Sequence, residues 1–140
     1  EAVAVLGTYD AASVAASTVT TGWISAAGFE AFMALVATGV LGASATLDAK
    51  LQQAQDSGGT GAKDITGKAI TQIVKASGDN KQAIINLRAE ELDVSNGFNY
   101  FRLSMTVGTA ASIVGASILG FFGRFNPASA SNQAAVVQVV

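Results

Sequence analysis

Two kinds of apolar pattern run along the chain, and both are patterns of strands. Over residues 46–53, Leu47, Ala49 and Leu51 alternate with Asp48, Lys50 and Gln52. Over residues 100–107, Phe101, Leu103, Met105 and Val107 alternate with Arg102, Ser104 and Thr106. Successive side chains of a strand point to opposite faces, so a period of two predicts ribbons with one dry and one wet side. Residues 82–87 repeat this in short form, with Ile85 and Leu87 on one face. The second pattern is apolar without alternation. Phe29–Thr38 offers Phe29, Phe32, Leu35 and Val36 to a core and is closed by Gly39 and Gly42. Residues 112–122 are apolar enough to lie in the middle of a sheet. Residues 23–25, 63–65 and 69–74 predict shorter extended pieces.

Turn formers separate these segments. Asp56 to Gly61 is a dense loop signal; Ser77 to Asn80, Asn96-Gly97 and Asn126-Pro127 are others. Arg88 to Leu92 favours a single helical turn as a crossover between strands. The first twenty-odd residues are low in complexity and read as an extended arm or as a weak helix with Asp10 as its N-cap; Val19-Thr20-Thr21 favours extended chain. Residues 129–133 suggest a polar linker, and residues 134–140 a final strand or clasp. Roughly seven to nine short strands with turns every 8–12 residues predict a mainly β chain, an antiparallel β-sandwich of jelly-roll type. It would have one short helical turn and extended terminal arms. The expected division is an N-terminal arm over 1–21, a sandwich over 22–127 and a C-terminal tail or clasp over 128–140. Neither the strand–helix alternation of a parallel sheet nor a fixed-period repeat is evident.

Residues 103–123 contain no charged side chain and are long enough for a bilayer span of about 20 residues. Ser104, Thr106, Thr109, Ser112, Ser117 and four glycines interrupt the run, and its first half alternates. Two adjacent buried strands joined by a turn are the better expectation, with no membrane partner. The uncharged run over 31–47 is a second such stretch.

Composition narrows the chemistry. The chain has no histidine and no cysteine, is 50% hydrophobic and is only 13% charged. Without those two residues, Ser-His-Asp and Cys-His catalysis and nearly all zinc chemistry are excluded. A net charge of −2 and a pI near 4.9, with the cations scattered, provide no basic face for nucleic acid. No disulfide is needed. The segment from Ala2 to Leu6 is too short for the apolar core of a secretion signal. The expectation is a structural protein with no catalytic residue, cofactor or metal ligand.

Several motifs have a chemical reading that their neighbours defeat. Gly58 to Lys63 is rich in glycine, but Ala62 precedes Lys63 and Asp64 follows it, where a phosphate loop needs Gly-Lys-Ser/Thr. Glu90, Glu91 and Asp93 form the densest acid cluster, without the alternate-ligand spacing of a calcium loop. Asp79-Asn80 suits a hairpin turn. No spacing among the acids selects a glycosidase pair. Trp23 and Tyr100 could stack on a sugar, although aromatic side chains are more often core. In Phe121-Phe122-Gly123-Arg124-Phe125, consecutive rings must point to both faces of a strand, so at least one faces outward. Exposed aromatic residues beside an arginine suit a protein interface.

An ordered chain of short motifs carries a resemblance. Ala45 to Ala54, Gly59 to Ile65, Ala69 to Ile73, Asn86 to Asp93 and Tyr100 to Leu103 together resemble a family of small structural proteins of tailed bacteriophages and prophages. Their genes tend to lie near that of the major capsid protein. The resemblance covers residues 24–127 and includes no catalytic signature. After Leu119-Gly120 the chain departs from the family pattern, with Phe121 to Phe125 in place of an acidic-basic stretch.

The resemblance implies a virion component, most directly a head decoration (cement) protein. It would be made in the host cytoplasm and located on the capsid surface, with the major capsid protein and itself, as a trimer, for partners. Val3, Val5, Leu6, Phe121, Phe122, Phe125, Val136, Val137, Val139 and Val140 are the expected contact residues. A ring-forming head–tail connector or tail subunit, and a carbohydrate-binding β-sandwich module on the virion, are the alternatives.

Overall fold

The computed structural model describes residues 2–125 and 127–140. Glu1 and the expected turn residue Asn126 lie outside them. In chain order the strands are β1 (Val3–Val14), β2 (Thr18–Thr20), β3 (Ile24–Ser25), β4 (Phe29–Thr38), β5 (Thr46–Ala54), β6 (Lys63–Ala69), β7 (Ile73–Val74), β8 (Gln82–Arg88), β9 (Tyr100–Gly108) and β10 (Ser112–Gly123). They form two antiparallel sheets. Sheet A runs β1-β10-β4-β8. Sheet B runs β2-β9-β5-β6, with β3 also on β9 and β7 also on β5. The chain passes between the sheets so that its first and last strands lie side by side. This order is the jelly roll.

The core lies where the dry sides of the ribbons meet. Leu47, Ala49 and Leu51 of β5 and Phe101, Leu103, Met105 and Val107 of β9 are all buried, as their alternation predicts. From sheet A, Phe29, Phe32, Ala34 and Val36 of β4 and Ile85 and Leu87 of β8 complete it. The Phe32 and Phe101 rings, 4.6 Å between centroids, join one sheet to the other. No described helix is long and apolar enough to cross a membrane. The uncharged run over 103–123 is β9 of sheet B, a turn, and β10 of sheet A, where β10 lies between β1 and β4.

Local expectations differ from the structure at five places. The N-terminal stretch is extended, but it is laid into the sheets: β1 pairs along β10, and β2 along β9. Its Ala/Ser/Thr sequence alternates too weakly to reveal partners 84 to 118 residues away. Residues 69–74 are not one strand; β6 ends at Ala69 and β7 begins at Ile73. A turn of helix at Lys75–Gly78 follows. The helical turn expected at 88–92 is present as a 3-10 turn, Ala89–Glu91, closed by Glu91 Oε2 accepting from the Arg88 N–H at 2.7 Å.

Residues 134–140 form no strand. Instead a 3-10 turn, Ala128–Ser131, leads to Asn132 and Gln133, which clip the free edge of β1. Val5 N–H donates to Asn132 Oδ1 at 2.8 Å, and Gln133 N–H donates to the Val5 carbonyl at 2.8 Å. Finally, Leu35 lies half-buried on the face of β4 opposite Ala34 and Val36, so it is not a core residue.

Candidate interaction surface

The strand registers place the outward side chains of sheet A in rows. One row is Val3–Phe121–Ala31–Arg88, the next Val5–Leu119–Met33–Asn86, and the third Thr8–Ser117–Leu35–Ile84. The alternate rows, such as Gly7–Ile118–Ala34–Ile85, point into the core. Within the three outer rows the only ionisable side chain is Arg88, at one corner. Asp10 sits on the opposite margin, in an irregularity of β1 between Tyr9 and Ala12. Ile84 is 54% exposed and Val3 40%.

Relief on this face is set by side-chain size. Small residues Ala37, Gly115 and Ser117, with Thr8 and Leu35, line a hollow of about 250 Å³. At the other end Ala31, Met33, Phe121 and Phe122 line one of about 450 Å³, edged by the charged side chains of Lys68, Arg88 and Glu91. Leu119 belongs to the row between and lines neither.

Sheet B presents the opposite chemistry. Lys50 Nζ donates to Asp64 Oδ2 at 2.7 Å, and Gln52 Nε2 to Asp64 Oδ1 at 3.0 Å. Arg102 donates through Nε and Nη2 to Gln52 Oε1, at 3.0 and 2.9 Å. Gln72 reaches Asp48, and Thr18 reaches Thr106. Polar groups on this face therefore satisfy one another across the strands. The hydrogen bond from Lys50, then that from Gln52, holds the Asp64 carboxyl below the usual carboxylate range.

The structure brings together some of the expected contact residues and separates others. Val3, Val5 and Phe121 share the outer face of sheet A. Phe122 adopts φ +54°, which turns its ring out; it is 70% exposed at the same end of the face. Phe125 lies beyond β10 and is exposed. Leu6 falls in the bulge between Val5 and Gly7 and packs against the core. A Cβ on Gly120 would come within 2.7 Å of Leu6 Cδ1. Val136 is half-buried, while Val137, Val139 and Val140 are exposed and leave the body next to the β1 edge that Asn132 and Gln133 clip.

Sequence reasoning missed Met33, Leu35, Leu119 and Ile84. Their signal was available: a run such as Phe29–Thr38 that is apolar on both faces belongs to a strand covered on both sides, and one sandwich covers only one.

The other candidates are structural. Asp56 Oδ1 accepts from Gly58 and Thr60 N–H in the glycine-rich loop, and Lys63 is engaged by Asp93 at 2.6 Å and by the Phe98 ring. Glu91 pairs with Lys68 at 2.8 Å, and Asp79 with Lys75 at 2.6 Å. Among the described residues no three acids are grouped to hold a metal ion. The Arg102 guanidinium lies 4.4 Å over the Trp23 ring. That ring also rests on Gly59, where φ is +87° and a Cβ would come within 2.7 Å of Nε1. Trp23 is thus already part of the packing.

No protein-family model matches the chain, and no curated protein matches it. Solved structures similar to it include the SPBc2 prophage-derived protein YomS, at 10% identity over 84% of this chain and 93% of that one, with a TM-score of 0.45. The naturally occurring empty top component of cowpea mosaic virus gives 11% identity, coverage of 91% and 84%, and a TM-score of 0.45. The CBM22-1–GH10 modules of Clostridium thermocellum xylanase 10B, complexed with xylohexaose, give 12% identity, coverage of 88% and 27%, and a TM-score of 0.48.

Proposed function

We propose that the protein is a non-catalytic virion component, a decoration (cement) protein that binds the major capsid protein on the outside of a tailed-phage head, beside copies of itself. The observation that carries this reading is the presence of two separate uncovered apolar surfaces on one small rigid body. One is the outer face of sheet A. The other comprises exposed residues beyond the strands, Phe125 and the valines of residues 137–140. Contiguous apolar patches of this kind mark contacts with other molecules, and two of them suit a subunit with two kinds of neighbour. The family resemblance over residues 24–127 supplies the identity of the second neighbour. Low charge keeps the desolvation cost of such contacts small, and many weak contacts add up when repeated over a shell. Neither nucleic acid nor a membrane has a part in this reading.

The test is a comparison of heads assembled with and without the protein. Heads that carry it should retain DNA to a higher temperature, and a reconstruction should show its density outside the shell. Equal heat resistance together with an unoccupied shell surface would refute the assignment.

A further inference from the structure

We infer that the outer face of sheet A is the seat of a second copy of this chain, packed face to face about a two-fold axis. This goes beyond the decoration reading and does not need it, because it rests on the face alone.

Three features point to a copy. The first is extent. Four strands about 4.8 Å apart and about 30 Å long offer about 600 Å² per subunit, so a pair buries about 1,200 Å², where specific stable interfaces begin. The second is charge. The rows through Leu119, Met33 and Leu35 contain no ionisable group; Arg88 and the Lys68–Glu91 ion pair lie at one margin and Asp10 at the other. Like faces therefore meet without setting like charges against each other at the centre. The third is relief. Leu119 stands between the hollow at Gly115 and the hollow that Ala31 and Met33 line. A face with both ridge and hollows can fit its own image, as a two-fold contact requires.

Sheets stack about 10 Å apart with their side chains interdigitated. The second copy thus covers the far side of β4 and β10 as sheet B covers the near side. Their unbroken apolar runs are then those of strands buried on both faces. A face-to-face contact closes with two subunits, where the family resemblance implies three. It also leaves Phe125 and the valine end for a different neighbour.

The purified chain should sediment as a pair. Leu35→Glu places a charge in the middle of the face and should weaken pairing at least about ten-fold, with circular dichroism unchanged. Thr66→Glu, on the polar sheet, should leave the pair intact. The chain has no cysteine, so Leu35→Cys under mild oxidation gives a second measurement that does not depend on tolerating a buried charge. It should form a disulfide-linked pair in high yield, and Thr66→Cys should not.

A wild-type monomer at about 100 µM, weaker than any useful contact of this size, would overturn the inference. So would a trimer indifferent to Leu35→Glu, or equal cross-linking at Leu35 and Thr66. A monomer that still coats heads would refute the pair and leave the decoration reading in place; a pair that never binds heads would do the reverse.

Discussion

The two sheets are similar inside and opposite outside. On sheet B, the charged and amide groups of β5 are hydrogen-bonded, Lys50 and Gln52 across the strands to Asp64 and Arg102, and Asp48 and Gln53 to loop residues. On sheet A, the same positions of the same pleat hold Leu119, Met33, Leu35 and Ile84. A polar face that satisfies itself has nothing to gain from a partner. An apolar face has about 25 cal/mol to gain for each Å² it removes from water. The fold uses one sheet as its solvent wall and leaves the other open to assembly. The two faces should therefore respond to different perturbations.

The largest effect should come from the joint between the sheets. Phe101→Ala removes a fully buried ring stacked on Phe32 and should cost about 3–5 kcal/mol in chemical denaturation. Both faces would be lost together, which makes it the reference for effects that are not specific to a face.

Next is Leu119→Asp. Because Leu119 fills no core space, the stability of the monomer should change by less than about 1 kcal/mol. Association should fall at least about ten-fold by sedimentation, about 1.4 kcal/mol of contact energy. A large loss of monomer stability instead would show that the outer face is part of the intramolecular packing.

Asn132→Ala is smaller. It removes the acceptor for the Val5 N–H at the edge of β1 and should cost about 1 kcal/mol. Faster amide exchange confined to the start of β1 would report it.

Acid should separate the faces with the smallest signal. Asp64, Asp79, Glu91 and Asp93 are all held below the ordinary carboxylate range, in each case first by a lysine hydrogen bond. A carboxyl depressed in the folded state adds stability that is fully present above its unfolded pKa and is lost as pH falls through the folded value. Stability should therefore decline below about pH 4, where the unfolded groups begin to bind protons. Asp64→Asn should reduce that decline and weaken the fold only slightly at neutral pH, as expected of an exposed pair. Pairing through sheet A has no ionisable group at its centre and should keep one affinity down to the pH at which the fold itself yields.

What was legible in the sequence follows the same division. The half-wet strands β5, β8 and β9 were readable residue by residue, because alternation records which side meets water. The doubly apolar strand β4 was found as a strand, yet Leu35 was assigned to the wrong side, since a run without polar residues does not say which face is in. The weakly patterned N-terminal stretch was seen as extended but not as sheet, because its strand state comes from pairing with β10 and not from its own side chains. The contact residues were sought in the ends of the chain, where Val3, Val5 and Phe121 do reach the outer face. The centre of that face was overlooked because Met33 and Leu119 resemble ordinary core. Knowledge that the two sheets leave one apolar side uncovered requires the topology, which no local pattern carries.

The position of β10 between β1 and β4 also constrains how the molecule is made. During synthesis the central lane of sheet A leaves the ribosome after the nine other described strands. Until then the first strand has no neighbour in its sheet, and β4 has only β8. Pairings between such distant segments are slow to form. The nascent chain must therefore keep its apolar ribbons apart until β10 emerges, and contact through sheet A can begin only after that lane is in place.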